Sequence, residues 1–150
     1  ILATKGTLSS KLFESTASAY TEGIITVEQD GEGLVSLIED GKLDSKEMNE
    51  LLQRYLIPML EFNIDHLVLG CSHYPYLIPA IKKIVGPDVQ IIDSGQAVAR
   101  QTKAVLLKKD LLSNMNRNAK HVLFSNSDIS TLQHLTKDVN AELKVALLDF

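Results

Sequence analysis

His66-Leu67-Val68-Leu69-Gly70-Cys71-Ser72-His73-Tyr74-Pro75 is the stretch that decides the fold of this 150-residue chain. An apolar run ends in a glycine, the only cysteine follows at once, and a histidine lies two places on. Beyond Pro75, the residues Leu77, Ala80, Ile81 and Ile84 recur at helical spacing. The pattern predicts a buried strand, a tight turn and a helix, with the thiol at the carboxyl end of the strand. In open α/β sheets that edge is where ligands bind. The unpaired N–H groups of a helix start favour a thiolate and can also hold an anion. One position thus combines a soft base with a carboxylate cradle.

Working outward, strand and helix signals alternate along the whole chain. Ile1-Leu2-Ala3-Thr4 reads as the tail of an apolar strand, and the chain is expected to begin inside a larger protein. Lys5-Gly6-Thr7 reads as a strand-to-helix turn, with a helix over 7–20 that places Leu8, Leu12, Phe13 and Ala17 roughly on one face. A strand is expected over 23–27, then a short helix marked by Leu34, Leu37 and Ile38 and ending near Asp40-Gly41. Asp44 with Glu47 three places on suggests a capping box. It opens a helix through Met48, Leu51, Leu52, Tyr55, Met59 and Phe62, which Pro58 should loosen near its end. After the cysteine unit come a strand over 89–92, the turn Asp93-Ser94-Gly95 and a helix over 96–108. The polar stretch 110–120 reads as a linker, followed by a strand over 121–125, a helix over 129–139 and a strand over 143–148.

Such alternation implies βα units and a parallel sheet. The expected fold is α/β, a doubly wound three-layer parallel-sheet domain, with a C-terminal βαβ segment that cannot bury both faces of its own sheet. Residues 121–150 are therefore expected to pack poorly here or to be satisfied by another chain.

Composition narrows the function classes. Hydrophobic content of 45% and charged content of 23% are those of a globular protein. No apolar run approaches the roughly 18 residues of a membrane span, and nothing resembles a signal peptide. Net charge is −4, without a basic stripe, so no nucleic-acid partner is implied. A single cysteine permits no internal disulfide, which fits a reducing cytoplasm.

The chemical candidates each have a plainer alternative. Cys71 serves as attacking thiolate, proton-transferring thiolate or metal ligand, against the bland role of a small buried hydrophobe. His73 can orient or protonate the thiol or reach a carboxylate, or simply cap a helix. Metal binding is disfavoured because His66, His121 and His134 do not cluster with the Cys71–His73 pair in sequence. Asp93-Ser94-Gly95 repeats a strand-end turn and lines the ligand edge or caps a helix. Thr4 and Thr7 occupy a third such turn and bond a polar ligand or cap their helix. Glu28, Asp30, Glu32, Glu39 and Asp40 lack metal-loop spacing and read mostly as a solvated face.

Leu69-Gly70-Cys71-Ser72-His73-Tyr74-Pro75, followed by Ile91-Ile92-Asp93-Ser94-Gly95-Gln96-Ala97, resembles the second half of the glutamate racemases, in the aspartate/glutamate racemase family. Leu2-Ala3-Thr4-Lys5-Gly6-Thr7 is similar to another segment of that half, so the likeness spans 1–107, with 108–120 as linker. The resemblance implies two similar α/β domains, each presenting a cysteine to a site between them, with no cofactor and no metal. It implies that Cys71 is one of two proton donors and acceptors. Ser72 and His73 would hold the substrate glutamate, and His73 would assist Cys71. It further implies D-glutamate supply for peptidoglycan, and that 121–150 returns to complete the first domain, which is a partner missing here; a homo-oligomer is left open.

Three departures stand out. Ser72 occupies a position usually threonine, which keeps the hydroxyl and loses a methyl group. The family's cysteine-proline motif before valine-proline-leucine-valine-glutamate appears here as the run from Asp30 to Glu39, retained only in its latter part. Glu39 thereby becomes a secondary candidate for tuning the site, beside Thr4 and Thr7. The family's first half, with its cysteine, has no counterpart within these 150 residues. Racemisation takes a proton from one face of Cα and returns another to the opposite face, so a half-protein is expected to be inactive. The rival readings are a racemase for aspartate or a related acid, and a non-catalytic α/β module that binds a carboxylate.

Overall fold

The computed structural model of the chain describes residues 1–113 and 119–149. Four strands form one sheet: β1 (Leu2–Ala3), β2 (Gln29–Asp30), β3 (His66–Gly70) and β4 (Gln90–Asp93). Their order is β2-β1-β3-β4, with every pairing parallel. The fold is α/β, as the alternation of signals implies. β1 and β3 lie side by side at its centre, Leu2 opposite Leu69 and Ala3 opposite Gly70. The turn after β1 and the turn after β3 therefore emerge together at the carboxyl edge.

Three helices pack over the face that carries Leu2, Leu67 and Leu69. They are α3 (Leu34–Glu39), α4 (Lys46–Glu61) and α5 (Ile78–Val85). α3 contributes Leu34, Leu37 and Ile38, and α4 contributes Met48, Leu52, Leu56 and Met59. Ile81 and Val85 of α5 complete this core, with Tyr74 and Leu77 from the turn before it. Each such fully buried aliphatic side chain is worth about 1.5–3 kcal/mol, so most of the apolar stabilisation sits on this side.

The opposite face is only partly covered. The apolar run of β3 is not buried on both sides: Leu67 and Leu69 point into the core, while Val68 is 36% and its register partner Ile92 is 39% exposed. The 7–20 helix is two helices, α1 (Lys5–Leu8) and α2 (Lys11–Tyr20), because Ser10 caps a new start by accepting the Phe13 N–H at 3.1 Å. Neither α2 nor α6 (Gly95–Lys108) has a buried residue, and Leu12, expected on the apolar side of its helix, is 77% exposed.

Other expectations shift by small amounts for local reasons. The 23–27 segment forms no strand, and pairing with β1 begins only at Gln29. α4 is capped by Ser45, whose Oγ accepts the Met48 N–H at 3.1 Å, one residue later than the Asp44 box. It runs through Pro58 to Glu61. The helix after Pro75 is preceded by a 3-10 turn over Tyr74–Leu77, so α5 begins only at Ile78.

The C-terminal segment forms its own parallel pair, β5 (His121–Ser125) and β6 (Leu143–Leu147), joined by α7 (Ile129–Thr136). Leu135 of α7 packs against the edge of the main core. His134 lies over Gly41, while Val122, Phe124 and Leu147 stay exposed. The middle of the expected linker, 114–118, lies outside the described residues.

Candidate functional site at the carboxyl edge of the sheet

Cys71 is the first residue beyond β3, partly exposed. Its carbonyl accepts the Tyr74 N–H at 3.2 Å, which folds Ser72 and His73 into a tight turn. The Cys71 Sγ lies 3.9 Å from His73 Nδ1, and Ser72 Oγ lies 3.5 Å from the same nitrogen. Sequence alone puts these three side by side.

Its partner across the site comes from far away. His73 Nε2 lies 3.1 Å from Glu39 Oε1. An ionised carboxylate only accepts hydrogen bonds, so a neutral His73 ring facing it carries its proton on Nε2. Nδ1 is then a lone pair on the side of the thiol. The result is a thiol and an orienting carboxylate on the two nitrogens of one ring, the arrangement expected of an assisted nucleophile or base. The His73 side chain is 28% and that of Glu39 48% exposed, so solvent screens the pair.

Tyr74, quoted within the motif but given no role there, anchors this turn. It is fully buried, and its hydroxyl donates to the Gly31 carbonyl at 3.3 Å. Burial first, then the nearness of Cys71, Asp30 and Tyr55, pushes its ionisation well above the ordinary tyrosine range. The signal in the sequence was its place directly after His73; nothing there names Gly31 as its acceptor.

The remaining candidates fall on both sides of this centre. Thr4 ends β1 beside the Cys71 turn, and its Oγ1 accepts the Thr7 N–H at 3.4 Å with Thr7 Oγ1 at 3.1 Å. Both hydroxyls are thus engaged in capping α1. Thr4 also borders an open cleft of about 340 Å³ shared with Lys5, Asp30, Glu32 and Ser36. Asp93 ends β4 at the same edge, and its Oδ1 accepts the Gly95 N–H at 2.8 Å, a capping turn. His66 stands at the opposite end of β3, where donating a hydrogen bond to the Asp65 carboxylate raises its pKa above the ordinary histidine value. Among the described residues no cluster of three His, Cys, Asp or Glu side chains is placed to hold a metal. No described helix is long and apolar enough to cross a membrane.

The parallel α/β fold is shared with known proteins. The profile of the Asp/Glu/Hydantoin racemase family matches residues 1–102. The chain belongs to that family. It is 40% identical over 116 residues to a glutamate racemase of Roseiflexus, covering 77% of this chain and 43% of that protein. It is 40% identical over 129 residues to a glutamate racemase of Pseudomonas syringae, covering 86% of this chain and 46% of that one. The crystal structure of a glutamate racemase isoform from Bacillus anthracis superposes with a TM-score of 0.84 at 28% identity, over 99% of this chain and 56% of its own. The chain thus spans under half the length of these two curated relatives.

Proposed function

We propose that this chain is the second-domain half of a glutamate racemase, interconverting L- and D-glutamate without a cofactor and supplying D-glutamate for peptidoglycan in the cytoplasm. Residues 1–107 form that domain, 108–120 link it, and 121–150 complete the first domain. The observation that carries the reading is the Cys71–His73–Glu39 grouping at the sheet edge, on a chain whose relatives bear that name.

In this reading the Cys71 thiolate takes the proton from Cα, becoming a thiol and leaving a planar carbanion. A second thiol, from the other half, delivers a proton to the opposite face. Nothing is consumed, and the reverse direction exchanges the two roles. The backbone N–H groups of Ser72 and His73 hold the α-carboxylate, and the Ser72 hydroxyl adds a donor. The separation of 3.9 Å between Sγ and Nδ1 is long for proton transfer and is expected to tighten when substrate fills the turn. Carbanion formation is the steep step, and each 1.36 kcal/mol of stabilisation gives about tenfold in rate. Preorganised donors in a site closed to water are the source.

The test follows L-glutamate by circular dichroism together with α-proton exchange in deuterated water. The chain alone should give no useful turnover, and the first half of the Pseudomonas syringae relative added in trans should restore both signals. L-Aspartate, run in parallel, should stay inert. Racemase-level rates from the chain alone would overturn the two-thiol reading. Conversion of aspartate in place of glutamate would move the protein to the rival substrate class, and complemented mixtures inert on both acids would count against racemisation.

A further inference from the structure

We infer that Tyr74 is a positioning residue that sets Glu39 against His73 by tying the Cys71 turn to the start of α3. It acts on the site proposed above, but the geometry and the test below hold whether or not racemisation is the reaction.

The contacts close into a ring. Tyr74 N–H donates to the Cys71 carbonyl at 3.2 Å, so one end of the residue shapes the thiol turn. Its hydroxyl reaches across the core to the Gly31 carbonyl at 3.3 Å. That same carbonyl accepts the Leu34 N–H at 3.2 Å, the bond with which α3 begins. Gly31 N–H in turn donates to the Ala3 carbonyl at 2.9 Å, which fixes this point to the central strand. From there α3 runs Leu34–Glu39, and its last residue meets His73 Nε2, next in sequence to Tyr74.

Α six-residue helix is short, so the place of its end is set by the place of its start. Leu34, Leu37 and Ile38 hold it to the core, but apolar packing is non-directional and tolerates small slides. A hydrogen bond at the start is directional. The second observation is the space reserved for it. A Cβ at Gly31 would collide with the Tyr74 hydroxyl and come within 2.8 Å of the Leu34 Cδ1. Position 31 thus admits only a residue that leaves room for the tyrosine oxygen. The neighbouring Glu32 carbonyl is bound separately by the Tyr55 hydroxyl at 2.8 Å, from α4, which steadies the loop from another side.

The experiment reads the His73 tautomer in the 150-residue chain, using nitrogen-15 shifts of the imidazole rings, with His73→Gln to assign the signal. The native chain should carry the neutral His73 proton mainly on Nε2. In Tyr74→Phe the ratio of Nε2–H to Nδ1–H tautomers should fall by about fivefold, the change that loss of one ordinary hydrogen bond allows. In Glu39→Gln the ratio should fall as well, and adding Tyr74→Phe to it should lower the ratio no further. Gly31→Ala keeps the buried ring but forces the loop off the hydroxyl, and should reproduce the tautomer shift if Tyr74→Phe does not fold. An unchanged ratio in folded Tyr74→Phe, or in folded Gly31→Ala, would overturn the proposal. An equal drop in the Glu39→Gln background would also do so, since the effect would not then pass through Glu39.

Discussion

Glu39 Oε1 and His73 Nε2 stand 3.1 Å apart although 34 residues separate them in the chain. The carboxylate ends α3, and the imidazole belongs to the thiol turn after β3. Because both side chains are partly exposed, the pair is worth about 1 kcal/mol or less. Glu39→Gln is therefore expected to slow alkylation of Cys71 by iodoacetamide at neutral pH by no more than about fivefold. His73→Ala, which removes the acceptor itself, should slow it more. A faster reaction in either variant would mean that the ring shields the thiol and does not assist it.

Substitution of the thiol should separate binding from turnover. In the complemented protein, Cys71→Ser and Cys71→Ala are each expected to cost at least about a hundredfold in racemisation, the low end of what positioned proton transfer contributes. Glutamate affinity by calorimetry should change little in Cys71→Ser, because the backbone donors of the turn remain. Undiminished turnover in Cys71→Ala would remove Cys71 from the chemistry.

Gly41 closes α3 two residues after Glu39, with φ at +71°, and a Cβ there would sit 3.2 Å from His134 Nε2. Gly41→Ala should destabilise the chain by about 1–3 kcal/mol in urea unfolding, through left-handed backbone strain and the crowded ring. Adding His134→Ala should recover only the crowding part. Full recovery in the double variant would show that backbone strain contributes nothing.

Alkaline pH should weaken the fold through Tyr74. Its folded-state ionisation is raised, first by burial, so the folded chain holds that proton more tightly than the unfolded chain does. The corresponding stability is whole below the unfolded tyrosine value of about 10 and is lost as the pH climbs from there toward the raised folded value. Unfolding free energies measured between neutral pH and the onset of alkaline denaturation should fall more steeply in the native chain than in Tyr74→Phe. Parallel slopes would mean that the decline comes from other groups.

Much of the site's local chemistry was legible because it is local. Cys71, Ser72 and His73 are consecutive or nearly so, and a strand followed by a glycine fixes where their turn must lie. The cysteine motif also carries the family resemblance. Helix limits were harder. Ser45 took the cap one residue after Asp44, and Ser10 capped a second start within the expected 7–20 helix; hydrogen bonding in place decided both. The 23–27 segment has the residues of a strand, but β2 pairs with β1 only at Gln29 and Asp30, a register that no pattern within the segment specifies.

The parallel α/β class and the thiol turn at the strand's carboxyl end can be read from the residues alone, since periodicity and turn chemistry act over a few residues. Which face of the sheet is better covered, and which distant groups meet at its edge, emerges from the packed fold. Glu39 reaches His73, and Tyr74 reaches Gly31, because parallel pairing sets β1 between β2 and β3. Those meetings depend on crossover direction and helix packing across the core, which arise from the sum of many weak, non-directional contacts and leave no mark in any short stretch of chain.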